Sequence, residues 1–184
     1  MAIFNKNKAS AQEIRTFSAG NPTLGISPNI YEWAELPSRI VLNGIVPLNY
    51  IQIDLENQMV GANLPVVFTK GRIEYRETFS KRYEDCIIIS HKDPPTSYFD
   101  FLLTCRATND STFVRIYRAG FSYYNYKINE YKDSKKETDG FMRTLNFLHY
   151  TLDKPDLQAW EDELYMENQY YAQIIKAIKE FFDI

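Results

Sequence analysis

The chain has 184 residues, of which 45% are hydrophobic and 24% charged, with a formal net charge of −3, as expected of one globular domain. No segment is long and apolar enough for a membrane span, and the first residues lack a secretory signal. We expect a protein of the cytoplasm, or of a particle assembled there, with no membrane partner. Aromatic residues reach 15%, including 14 tyrosines, which favours half-buried sheets and binding surfaces alike.

Charge is unevenly distributed along the chain. Residues 70–136 carry 13 basic and 9 acidic side chains, a net +4, whereas residues 137–184 carry 4 and 10, a net −6. Two interpretations stay open. A basic sheet surface faces an acidic partner or nucleic acid, or the acidic end packs on the basic strands of the same molecule. We favour the second.

Residues 1–38 contain many glycine, proline and polar residues and predict an extended N-terminal arm. Four of its side chains, at Ile30, Tyr31, Trp33 and Leu36, are too apolar for a free tail. We expect them to dock on the domain's own core or on a partner, and we take them as candidate partner-binding residues.

Residues 39–128 predict a sheet. Ile51, Ile53 and Leu55 alternate with polar residues, the period of a strand with one buried face. Asn43-Gly44 lies between two apolar runs and predicts a hairpin turn.

Further strands follow in the same region. Lys70-Gly71 predicts a second hairpin turn, and the apolar, β-branched run of residues 86–90 predicts a strand buried on both faces. Residues 98–107, 112–118 and 121–128 predict a three-stranded meander, because short turns require antiparallel neighbours. Together these segments predict about seven or eight strands, in a mainly antiparallel sheet or a partly open barrel.

Residues 139–184 predict two C-terminal helices. In the first, apolar residues recur at helical spacing from Phe141 to Leu152. The second has one apolar stripe formed by Leu157, Trp160, Leu164, Tyr171, Ile175, Ile178 and Phe182. The predicted fold class is therefore α+β, with an arm over residues 1–38 and a single domain over residues 39–184.

Catalytic and metal-binding patterns are absent from the sequence. It contains no glycine-rich phosphate loop, nucleophile elbow or paired-histidine helix. Cys86 and His91 stand about 17 Å apart if they share a strand, too far for a nucleophile and its base. The two cysteines and two histidines lack the clustered spacing of a metal site. We predict a non-enzymatic protein without cofactor or metal.

The main functional hypothesis is protein binding or assembly, through the aromatic-rich sheet and the arm. Tyr165 and Tyr170 on the last helix join the arm residues as candidate partner contacts. The partner is either another protein or further copies of the chain in a homo-oligomer. A phage structural or accessory protein and an immunity-type inhibitor are two contexts for such a protein, and the residues do not choose between them.

The alternative is a single-stranded nucleic-acid binding protein. Its candidate residues are Arg115, Tyr117, Arg118, Tyr124 and Lys127, because sheets that bind single strands interleave aromatic and basic side chains. An estimated pI of 5.5 stands against it.

Overall fold

The computed structural model describes residues 14–134 and 157–184. These residues form seven strands and three α-helices, with a short 3-10 helix at Pro22–Leu24. In chain order the elements are β1 (Arg15–Ser18), β2 (Ile30–Glu32), β3 (Ile40–Asn43), α1 (Leu48–Gly61), β4 (Val66–Arg76), β5 (Lys81–His91), β6 (Asp100–Ala107), β7 (Ser111–Ala119), α2 (Tyr123–Ser134) and α3 (Leu157–Phe182). The helix predicted from Phe141 to Leu152 lies outside the described residues.

The strands form one curled, open sheet in the order β1-β4-β5-β6-β7-β2, and β3 also pairs with β7. Strands β4 to β7 are antiparallel neighbours, whereas β1 runs parallel to β4. Ser18 N donates to Asn29 Oδ1, and Asn29 N donates to Ser18 O, so the chain at one edge meets the chain at the other. The predicted α+β class and curled sheet are confirmed, but the sheet is mixed.

The two faces of the sheet are buried differently. Helices α1 and α3 cover one face, where Leu55, Phe101 and Ile174 belong to the main core. On the other face, Phe17 of β1 and Ile30 of β2 belong to the same buried cluster, although these strands are opposite edges of the sheet. The sheet therefore curls around this second cluster, and we call its surface the concave face.

The described part of the N-terminal arm belongs to this sheet. Strands β1 and β2 are built from it, and Ile30, Trp33 and Leu36 are buried in the chain's own core. The Trp33 ring stacks on Phe101, with 4.3 Å between centroids. These three side chains therefore dock on the domain's own core, which was one of the two alternatives for the arm. Tyr31 is 48% exposed.

Helix α1 replaces a predicted strand. The alternation of Ile51, Ile53 and Leu55 required all three on one face, yet Ile51 and Leu55 are buried while Ile53 is 53% exposed. Met59 is buried on the same side of α1, so the buried apolar residues recur every four positions, as on one face of a helix. The strand prediction is wrong because Ile51 and Leu55 fit two patterns at once: they are alternate residues of a short run, and they are also one helical turn apart.

The predicted turn at Asn43-Gly44 is only half right. Gly44 has φ +83° and ends β3, but the chain then enters α1 and forms no second hairpin strand. Val46 N instead donates to Thr112 Oγ1 at 2.8 Å. The backbone hydrogen bond is thus satisfied by a side chain of β7.

Two other predictions fail in the sheet. Lys70 and Gly71 lie inside the unbroken strand β4, and the turn comes later, where Glu77 N donates to Ser80 O. The third meander strand is helix α2, because Ser122 accepts a hydrogen bond from Asn125 N and caps a helix at this point. Strands β5, β6 and β7 and the terminal helix α3 agree with prediction.

Candidate functional site

An opening interrupts the sheet between β5 and β6. These strands pair only over Cys86–Ile89 and Phe101–Thr104. Beyond that register, residues 81–85 of β5 pair with β4 alone, and residues 105–107 of β6 pair with β7 alone, among the residues described. A cavity of about 260 Å³ lies at this opening.

Four arginines line the cavity and define what we call the arginine site: Arg39, Arg82, Arg106 and Arg115. They come from the residue before β3 and from strands β5, β6 and β7. Glu84 is the acidic residue in the lining, so four guanidinium groups and one carboxylate give a formal charge of +3. The register places Arg82, Arg106 and Arg115 on the concave face.

Aromatic side chains contact three of these guanidinium groups. Arg39 lies 4.8 Å from the centroid of the Phe113 ring, and Arg82 lies 4.3 Å from that of Tyr75. Arg115 Nη1 donates to the Tyr117 hydroxyl at 3.5 Å. Stacking fixes a guanidinium while leaving its in-plane N–H groups free to donate to another molecule.

The positive charge of the arginine site is poorly compensated. Arg82 Nη1 lies 3.8 Å from Glu84 Oε2, whereas the other three arginines have no ion pair within the described part of the chain. Burial, and next the proximity of Tyr117 and Glu84, raise the pKa of Tyr75, so its hydroxyl remains neutral. The hydrogen bond to Tyr117 raises the pKa of Arg115. Glu84 also helps to raise the pKa of Arg115, but it is the one carboxylate that the lining offers to four guanidinium groups.

The acidic C-terminal helix does not supply that charge. α3 packs on the face of the sheet opposite to the arginine site. Its one salt bridge in the described ranges joins Lys176 to Glu180 within the helix. From the charge distribution we favoured an acidic C-terminal end that neutralises the basic strands. Among the described residues, α3 forms no ion pair with those strands.

The predicted nucleic-acid residues are divided among three places. Arg115 and Tyr117 lie together at the arginine site. Arg118 lies on the opposite face of β7, where its guanidinium is 5.3 Å from the Phe99 ring. Tyr124 and Lys127 lie on helix α2. The structure thus brings two of the five together.

Sequence analysis missed Arg39 and Arg82. They come from segments far from β7, and only the strand order brings them beside Arg115. Alternation along β6 places Arg106 on the face of Thr104, but by itself it does not show which face curls inward.

Of the candidate partner residues, only Tyr31 and Tyr165 are exposed, the latter at 65%. Tyr170 is buried, and its ring centroid lies 4.8 Å from that of His91. Tyr170 is as buried as Ile30, Trp33 and Leu36, so these four side chains expose little surface to a partner.

The cysteines and His91 show no arrangement for chemistry. Burial raises the pKa of the Cys86 and Cys105 thiols to about 12, which leaves them protonated and unreactive. Burial lowers the pKa of His91, which packs against Tyr98 and Tyr170. Within residues 14–134 and 157–184, no group of three metal-ligating side chains occurs.

None of the helices in the described ranges is long and apolar enough to cross a membrane. Comparison of the chain with protein-family models, with curated proteins and with solved structures finds no match in any of the three. The functional argument therefore rests on the residues of the site itself.

Proposed function

We propose that this chain is a non-enzymatic binding protein that holds an acidic, extended segment of a partner protein at the arginine site. The observation that carries the proposal is a group of three arginines in the opening between β5 and β6, Arg39, Arg106 and Arg115, for which the described residues supply no ion pair. Arginine donates to carboxylates in a planar, two-pronged geometry, so an acidic side chain is a matched ligand.

The strand edges favour an extended partner. Residues 81–85 and 105–107 each lack a strand partner on the side of the opening, within the described chain. A peptide in β conformation can pair with such an edge while every second side chain faces the arginines. Charged side chains also protect open edges from unwanted pairing, and the experiment below separates that role from binding.

The test uses a labelled peptide of alternating aspartate and threonine, which presents all its carboxylates on one side of a strand. We expect saturable binding by fluorescence anisotropy at low salt. The double variant Arg106→Gln/Arg115→Gln should weaken it by about tenfold or more, at roughly 1 kcal/mol for each exposed charge contact.

Arg76→Gln is the matched control. Arg76 lies on the opposite face of the β4–β5 hairpin, where it pairs with Glu74 at 2.9 Å, and its loss should leave the affinity unchanged. Equal binding of the matching asparagine–threonine peptide, or equal binding by the double variant, would reject the proposal.

Single-stranded nucleic acid is the second candidate for the same surface. Arg115 and Tyr117 lie side by side on the concave face, as a basic and aromatic sheet surface requires. Against this, the Phe113 and Tyr75 rings are already covered by guanidinium groups and offer less area for stacking bases. Binding of oligothymidylate that weakens steeply with salt, without binding of the acidic peptide, would favour this candidate.

A further inference from the structure

A second cavity lies on the other face of the sheet, along α3. Its volume is about 750 Å³, and we call it the α3 cleft. Leu164, Ala172 and Ile175 form an apolar wall on the helix, and residues 32–35 with Phe99 and Arg118 face them. The cleft is large enough for a small organic molecule.

Arg118 is the basic group on the sheet side of the cleft. Its guanidinium carbon lies 5.8 Å from the centroid of the Tyr31 ring and 5.3 Å from that of Phe99. Among the described residues it has no salt bridge, and its Nε is buried without a hydrogen-bond acceptor. A half-buried cation without a counterion is a natural contact for an anion.

Trp33 supplies a second donor in the same lining. It is 7% exposed and held by its stacking on Phe101, and its indole Nε1 has no acceptor in the described part of the molecule. An unsatisfied buried donor costs about 1–3 kcal/mol, so a ligand that brings an acceptor oxygen gains from this group.

Two buried hydroxyl groups near the cleft, on Ser122 and Tyr171, already have hydrogen-bond partners. Ser122 Oγ donates to Glu167 Oε2 at 2.7 Å, and the Tyr171 hydroxyl donates to the same carboxylate. Tyr171 also accepts from Phe99 N. Within the described lining, Arg118 Nε and Trp33 Nε1 are the buried donors that lack an acceptor.

Charge limits the ligand further. Four exposed carboxylates also line the cleft, on Glu32, Glu35, Glu180 and Asp183. Lys176 is paired with Glu180, and Lys179 in the same lining has no salt bridge among the described residues, so three cations stand against four carboxylates. A single negative charge on an apolar body suits this lining better than a phosphate-rich molecule.

We propose that the α3 cleft binds a small, apolar monocarboxylate, with its carboxylate at Arg118 and Trp33 and its apolar body along α3. The arginine site lies on the opposite face of the sheet, so this second site does not depend on the function proposed for the first.

Decanoate is the probe, with uncharged decanamide as its matched control, in isothermal titration calorimetry below the micelle concentration. We expect decanoate to bind the full chain at least tenfold more tightly than decanamide. Arg118→Met keeps an apolar stem and should weaken decanoate binding at least tenfold. Arg76→Gln, outside the cleft and the arginine site, should not. Equal affinities for the two probes, no detectable binding of decanoate, or an unchanged affinity in Arg118→Met would overturn the proposal.

A measurement on the wild-type chain covers the case in which Arg118→Met does not fold. The chain has two tryptophans, so its indole N–H groups give two resolvable NMR signals. Decanoate should shift the Trp33 signal and leave that of Trp160, near the start of α3, in place. Titration without a shift at Trp33 would exclude its Nε1 from the ligand site.

Discussion

Ser122 Oγ donates a hydrogen bond to Glu167 Oε2 at 2.7 Å and so links the start of α2 to the middle of α3. Ser122 Oγ also accepts a hydrogen bond from Asn125 N, and this bond caps α2. One buried hydroxyl therefore serves a helix terminus and a buried carboxyl group together.

Ser122→Ala should lower the free energy of unfolding by about 1–3 kcal/mol, because it removes a helix cap and leaves Glu167 with one donor fewer. Ser80→Ala is the matched control, since Ser80 also donates to a glutamate, Glu77, but at an exposed turn. Urea denaturation of both variants measures the difference. A loss at Ser122 no larger than at Ser80 would contradict this role.

Glu167 should make stability depend on pH. Burial raises the pKa of its carboxyl above the ordinary value of 4.5, against the lowering effect of its hydrogen bonds to Tyr171 and Ser122. Between the unfolded and the folded pKa, the folded state binds more protons, so the unfolding free energy contributed by this group falls as pH rises.

Glu167→Gln cannot titrate in that interval. The unfolding free energy of the variant, relative to the wild type, should therefore increase as pH rises from below 4.5 to neutral. Urea midpoints across this range test it, and a difference that does not change with pH would mean that the carboxyl has no raised pKa.

Helix α1 gives a direct test of one corrected element. Leu55→Ala should cost about 2–5 kcal/mol, because Leu55 is completely buried between α1 and the sheet. Ile53→Ala should cost less than about 0.5 kcal/mol, since that side chain is exposed. Thermal unfolding compares the two. Similar losses would indicate the strand arrangement, in which the two side chains share a face.

Gly71 in β4 has no room for a side chain unless neighbouring atoms move. A Cβ there would lie 2.7 Å from Ile88 Cδ1 and 3.2 Å from the Arg15 carbonyl oxygen. Gly71→Ala should therefore destabilise the fold by about 1–3 kcal/mol, and adding Ile88→Val should recover part of the loss by removing Cδ1.

Gly61, near the end of α1, is the contrasting position. A Cβ there meets no atom within 4 Å, so Gly61→Ala should be neutral or stabilise the helix by up to about 1 kcal/mol. Denaturation of the two alanine variants side by side measures the contrast. A stabilising Gly71→Ala would show that β4 and β5 do not approach as closely as described.

Long or wholly apolar patterns were sufficient to predict several elements. The run Cys86–Ile89 is short and wholly apolar and appears as part of β5, whereas the stripe that ends at Phe182 keeps helical spacing and appears on α3. Other short segments failed. Tyr123, Tyr124 and Tyr126 favour a strand by composition, but the Ser122 cap begins a helix there.

The arginine site was predictable only in part. Arg115 and Tyr117 stand two residues apart and share a face by alternation alone. Arg39 joins them through the pairing of β3 with β7, and Arg82 through the curl of the sheet. Such long-range relationships depend on strand order, which local residue patterns do not contain.

The pairing of β1 with β4 and of β2 with β7 also constrains the order in which the chain can fold. Arg15 is opposite Gly71 and Ile30 is opposite Ala119, so both edge strands find their partners only in much later segments. During synthesis β1 has no strand partner until β4 has been made, and β2 has none until β7 has been made. We expect the apolar side chains of Ile30 and Trp33 to be exposed during that interval, and the closure of these long loops to be a late step in completing the curled sheet.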